Sequence, residues 1–161
     1  NINVEIRFIG GEQHVFLCGE DVNGKIRTPE VSMAASTVSA IGQVRAFLFD
    51  LQQKMARENN VVMDGRDIGT VVLKDATIKI YLTASAEVRA KRRFDELTAK
   101  GESCNFDEIL TNVVERDRID STRAISPLRK AEDAIVLDNS NMTIPEQKAW
   151  LLEQYYRVAA E

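Results

Sequence analysis

Asp64-Gly65-Arg66-Asp67-Ile68-Gly69-Thr70 sets two carboxylates, a guanidinium and two glycines within seven residues. A carboxylate there can hold a hydrated magnesium ion, which keeps most of its waters and needs only one or two protein oxygens. Arg66 can clamp a phosphate through two parallel hydrogen bonds, and glycine lets the backbone approach a ligand closely. The same string also fits a polar turn closed by an internal ion pair. A second group is Arg116, Asp120 and Arg123, spaced i, i+4, i+7, which share one face if the segment is helical. Two guanidiniums flanking a carboxylate suit a phosphorylated sugar, with arginine for phosphate and aspartate for hydroxyls. The spacing equally fits a solvated helix face laced by ion pairs of about 0.3–0.5 kcal/mol each. A third group is Arg89, Lys91, Arg92 and Arg93. These could close over phosphates in transfer, where fixed positive charge lowers the barrier, or they could be mixed charge on a solvent face.

Several chemistries are excluded by what is absent. The 161 residues contain no GxxxxGK(S/T), so the backbone cradle and lysine of a P-loop are missing from them. No GxSxG and no GxGxxG occurs, and one histidine, His14, with no CxxC gives a transition metal almost nothing to bind. A net charge of −4 speaks against coating nucleic acid. No apolar run approaches the ~20 residues that span a bilayer, and no signal-peptide pattern opens the chain. Cys18 and Cys104 lie far apart without a pairing motif, which fits a reducing cytosol. The composition predicts a cytoplasmic protein that works on small molecules.

The elements that must position these groups follow from periodicity. Asn1 to Ile9 alternates from the first residue, Gly10-Gly11 turns it into a second strand over 13–18, and Asn23-Gly24 precedes a short third strand at Lys25-Ile26-Arg27. From Glu30 the period lengthens, and Ile41, Val44, Leu48, Leu51 and Met55 mark a helix ending near residues 58–60. Val61-Val62-Met63, Ile78 to Leu82 and Ala134 to Leu137 are short apolar runs predicting buried parallel strands. Between and after them come helices over about 85–100, from Asn105 onward, and from near Pro145 with Leu151, Tyr155 and Val158 on one side. This alternation is that of a parallel α/β sheet, whose ligands sit at the carboxyl ends of strands. Asp64 and Asp138 stand at two such ends.

Together these segments resemble the bacterial cytidylate (CMP/dCMP) kinase family. The resemblance rests on Gly24-Lys25-Ile26-Arg27-Thr28 with Glu30-Val31 and Ala34-Ala35-Ser36, and on Asp64 through Val72, DGRDIGTVV. It continues in Glu115-Arg116-Asp117 with Asp120, Arg123-Ala124, Ser126-Pro127-Leu128, and Ala131-Glu132-Asp133-Ala134 leading into Leu137-Asp138. It covers essentially the whole chain in order.

The resemblance implies a P-loop nucleoside monophosphate kinase core with a small antiparallel β insert. The insert would be residues 1–38 and the core residues 39–161, with a lid region at about 89–106. Ser36, Arg45 and Asp67 match positions that read the cytosine ring. Arg116 and Asp120 match those holding the ribose hydroxyls, and Arg66 and Arg123 those gripping the acceptor phosphate. Asp64 matches the carboxylate near magnesium, reached through water, and with Arg66 and Arg123 forms the implied catalytic set. Arg89, Arg92 and Arg93 fall in the lid that touches donor phosphates. The implied partners are CMP or dCMP, ATP and Mg2+, without nucleic acid or membrane, and the whole enzyme of pyrimidine metabolism would be monomeric.

One departure is large. Family members carry a strand, a P-loop and a helix before the position of Asn1. The chain is therefore expected to be truncated at its amino end, inactive alone, and able to associate through an open sheet edge. The alternative is a non-catalytic CMP-binding or interaction fragment. A UMP kinase is a third reading, and Ser36, Arg45 and Asp67 argue against it.

Overall fold

The computed structural model describes residues 2–26 and 28–160. It divides into two units, Asn1–Asp50 and Leu51–Glu161.

The first unit opens with a three-stranded antiparallel meander, β1 (Val4–Ile9), β2 (Glu12–Leu17) and β3 (Glu20–Asp21), in the order β1-β2-β3. Gly10 and Gly11, at φ 61° and 87°, make the two-residue turn whose twist suits a hairpin, and Ile9 pairs with Glu12 across it. The third strand is not at Lys25-Ile26. Cys18 and Gly19 both take positive φ and return the chain at once, so that Glu20 faces Leu17. Asn23 then extends the ladder with its side chain, accepting from Val15 N at 3.0 Å and donating to Gln13 O at 2.8 Å. Lys25 N and Ile26 N both donate to Val22 O, closing a turn where a strand was expected. Asn1 and Arg27, assigned to strands in the sequence reading, lie outside the described residues. Phe16 and Val22 are the buried residues here, with the Arg7 guanidinium 4.3 Å from the Phe16 ring centroid. His14 Nδ1 lies 2.7 Å from Asp21 Oδ2, so the single histidine belongs to the meander.

Helix α1 (Pro29–Val38) starts where the Thr28 hydroxyl accepts from Val31 N at 3.2 Å. Helix α2 (Gly42–Glu58) is the expected apolar-striped helix and carries the boundary between the units.

The second unit is built on a parallel pair, β4 (Ile80–Thr83) and β5 (Ile135–Asp138), with Ile80 opposite Ile135 and Thr83 opposite Asp138. Helices α3 (Ala86–Ala99) and α4 (Phe106–Thr122) connect them, and α5 (Ile144–Ala159) follows. Each helix start is capped. Ser85 accepts from Val88 N, Asn105 from Asp107 N and Glu108 N, and Thr143 with Glu146 forms a reciprocal capping box. Gly101, at φ 76°, follows the end of α3. The α3–α4 contact includes an edge-to-face pair of Phe94 and Phe106, and Ala90 is fully buried.

Three expectations are corrected. Val61-Val62-Met63 is not a strand; the segment is irregular and Val62 is fully exposed. A parallel strand is held by a neighbour that takes its N–H and C=O groups, and among the described residues none pairs with it. The runs at β4 and β5 are strands but not buried ones. Leu137 is buried, whereas Leu82, Ile135 and Val136 are exposed, because a two-stranded sheet covers neither of its faces. On α5 the buried residue is Gln154, while Leu151 and Tyr155 are exposed. The helix is tied through polar groups, with Asn139 Nδ2 donating to Gln147 Oε1 at 2.7 Å. No described helix is long and apolar enough to cross a membrane.

Candidate active site

Residues 64–72 are a local structure of their own. Asp67 O accepts from Val71 N and Val72 N, and Ile68–Val72 winds into a π-helical turn. Such turns are rare and concentrate at functional sites. Gly65 is needed for the tight start, since a Cβ there would come 2.9 Å from Ile68 Cγ1. Asp67 is buried, while Asp64 and Arg66 are exposed.

Helix α4 brings the second group to the first. Asp120, only 5% exposed, accepts from Arg66 Nε at 2.9 Å across 54 residues of chain. Arg123 Nη1 stands 3.9 Å from its other oxygen. Arg123 ends the helix, and its Nε donates to Ser126 O at 2.7 Å, while Leu128 N donates back to Asp120 O at 2.7 Å. Arg66, Asp120 and Arg123 are thus one ion cluster, with Arg123 also largely buried.

A residue without a role in the sequence reading completes it. Asp117, one helical turn before Asp120, takes Arg89 Nη1 and Nη2 on its two oxygens at 2.8 and 2.5 Å, and Arg89 Nε donates to Ala84 O just past β4. The i, i+3 spacing of Asp117 and Asp120 was visible; that α3 would deliver an arginine to it was not. The Arg89 hydrogen bond holds the Asp117 carboxyl below the usual carboxylate range against partial burial, and the charges of Arg89, Arg66 and Arg116 add to this. Three guanidiniums, Arg66, Arg123 and Arg89, pair with two carboxylates, an excess of positive charge suited to a phosphate monoester, which carries about −1.5 to −2 at neutral pH.

A carboxylate with a lowered folded-state pKa adds stability above its unfolded value, near 3.9, and loses it as pH falls through the folded value. Both Asp117 and Arg89 side chains are more than a third exposed, so screening keeps the contribution within roughly 1 kcal/mol. Urea midpoints measured from pH 6 down to pH 2.5 should therefore fall less steeply in Asp117→Asn than in wild type; parallel curves would contradict the pairing.

The remaining residues fall as follows. Ser36 and Arg45 belong to the first unit, where both meet Ser39: Ser39 Oγ donates to Ser36 O at 2.8 Å and Arg45 Nη1 to Ser39 O at 3.4 Å. Arg92 donates from Nη1 to Asn139 Oδ1 at 3.0 Å and from Nη2 to Asn139 O at 2.6 Å, joining α3 to the end of β5. Arg93 pairs with Glu96 at 2.8 Å on the surface of α3. For magnesium, no cluster of three or more potential ligands exists among the described residues. The exposed Asp64 carboxylate fits an ion that keeps its waters and takes one protein oxygen, not a dedicated protein cage.

The second unit gathers arginines and aspartates beside the carboxyl ends of parallel strands, where ligands of such sheets bind. A family model for cytidylate kinase matches residues 1–157. A curated cytidylate kinase of Bacteroides fragilis is 54% identical over 147 residues, covering 91% of this chain and 64% of that protein. That of Parabacteroides distasonis is 56% identical over the same shares, and that of Caldicellulosiruptor saccharolyticus is 52% identical over 98% of this chain and 70% of its own length. The chain belongs to the cytidylate kinase family. It spans about 64% of the length of the first two relatives.

Proposed function

We propose that the protein transfers the γ-phosphate of ATP to CMP or dCMP, and that this chain supplies the acceptor site. The observation that carries the reading is the convergence of Arg66 and Arg123, from two separate segments, on the buried Asp120 carboxylate. On this reading both arginines grip the acceptor phosphate, Arg116 and Asp120 take the sugar hydroxyls, and Ser36, Arg45 and Asp67 read the base. Cytosine offers an N4 amino donor beside N3 and O2 acceptors; a carboxylate takes the donor and an arginine serves the acceptors, a pattern uracil does not match.

Phosphoryl transfer needs little covalent help from the protein. It asks for in-line placement and for positive charge over the equatorial oxygens. Asp64 would hold magnesium through water, and the bound ion would neutralise charge on the transferring group. Arg89, Arg92 and Arg93 are proposed for the donor phosphates when the region about 89–106 closes and excludes water. Each would have to leave its present partner. The exposed i, i+3 pair of Arg93 with Glu96 is the least costly of these to break.

The 161 residues hold no GxxxxGK(S/T), so transfer on this reading requires such a loop from outside them. A coupled assay of ADP release tests the proposal. The protein extended at its amino end should phosphorylate CMP and dCMP in preference to UMP, and the 161-residue chain should transfer nothing. An extended protein that binds CMP but transfers no phosphate would favour a non-catalytic CMP-binding protein.

A further inference from the structure

Ser126 has a backbone conformation that its residue type disfavours. Its φ is +50°, and among the described residues Cys18, in a hairpin turn, is the other non-glycine with positive φ. Pro127 follows Ser126, and a residue before proline is restricted further still, toward extended conformations. Strain of this kind persists only where the surroundings over-determine it, and it collects at functional sites.

The surroundings are specific. The Ser126 carbonyl accepts from Arg123 Nε at 2.7 Å. Two residues on, Leu128 N donates to Asp120 O at 2.7 Å, so the segment after α4 is hooked back over the last turn of that helix. Arg123 has already left helical geometry, at φ −59° and ψ 144°, and its side chain is 11% exposed. With Nε held by a carbonyl, the plane of the guanidinium is set. Its Nη1 stands 3.9 Å from Asp120 Oδ1. An arginine that must present two parallel N–H groups to a phosphate needs its plane fixed before the ligand arrives.

We infer that Ser126 is a positioning residue whose left-handed backbone turns its carbonyl onto Arg123 Nε and so orients that arginine for the acceptor phosphate. The inference rests on the proposed phosphate role of Arg123. The contact is made by the backbone, so what matters at position 126 is access to positive φ. Glycine has that access freely, and a β-branched residue is nearly barred from it.

The test titrates the chain with CMP and with cytidine, which lacks the phosphate. Ser126→Val should weaken CMP about tenfold and cytidine less than about twofold, whereas Ser126→Gly should bind both as wild type does. A purely structural role would lower both affinities together. Arg123→Lys should lose a similar factor for CMP, and adding Ser126→Val to it should cost nothing more, since both changes remove one interaction. A second readout needs no variant: the Arg123 Nε–H signal in a nitrogen-15 spectrum should exchange slowly with solvent.

Fast exchange at that signal, or unchanged CMP affinity in a folded Ser126→Val protein, overturns the inference alone. A wild-type chain that binds CMP no tighter than cytidine overturns the phosphate reading first, and the inference with it.

Discussion

Asp120→Asn is expected to weaken CMP binding about thirtyfold, roughly 2 kcal/mol. The substitution keeps volume and shape and removes one charge. Two opposing effects meet here. Removing a carboxylate from beside a bound phosphate should by Coulomb's law alone tighten binding. Against that, Asp120 holds Arg66 by hydrogen bond and stands beside Arg123. Without the negative charge the two guanidiniums repel each other and lose the geometry that presents them to one phosphate, and on the proposed reading a sugar hydroxyl loses its acceptor as well. Stability should fall too, by about 2 kcal/mol, below the 3–5 kcal/mol typical of a broken buried pair because Arg66 can recover solvent. Its side chain is 43% exposed, whereas that of Arg123 is 11% exposed. Calorimetry and urea unfolding measure the two effects separately. Tighter CMP binding in the variant would show that charge, not placement, dominates the cluster.

Asp67→Asn is expected to change the CMP-to-UMP affinity ratio by about 10- to 100-fold in favour of UMP, the range of one well-placed paired base contact. The residue is buried, and its carbonyl starts the π-helical turn through Val71 N and Val72 N. The backbone is therefore anchored independently of the carboxyl. Asparagine can keep that backbone and offer an NH2 donor where uracil presents O4. A site built on paired bonds rejects the wrong base because its own groups are left unsatisfied. Equal losses for CMP and UMP would mean that Asp67 supports the turn without reading the base.

Much of the scaffold was legible because it is local. Alternation marked β1 and β2, apolar spacing marked α2, Asn105 with Glu108 marked the start of α4 and Pro145 that of α5, all within a few residues of where they stand. What failed depends on partners distant in the chain. Val61-Val62-Met63 has the composition of a strand but no paired neighbour among the described residues. The third strand failed for a local reason instead: Cys18 and Gly19 turn the chain early, so Glu20–Asp21 and not Lys25-Ile26 pairs with β2.

The site divides in the same way. That Arg116 and Asp120 share a face of α4 followed from their i, i+4 spacing, whereas Arg123 stands just past the helix end. That Arg66 would reach Asp120 from 54 residues away, and that Arg89 would close on Asp117, did not. Nor did the spacing show that Arg92 would bond to Asn139, a buried amide at the end of β5.

Titration calorimetry of the 161 residues with CMP, UMP and ATP decides whether this chain carries the acceptor site for a cytosine nucleotide. CMP should bind one-to-one, UMP more weakly by about tenfold or more, and ATP should give no measurable heat. Equal binding of CMP and UMP, or ATP bound more tightly than CMP, would contradict that assignment.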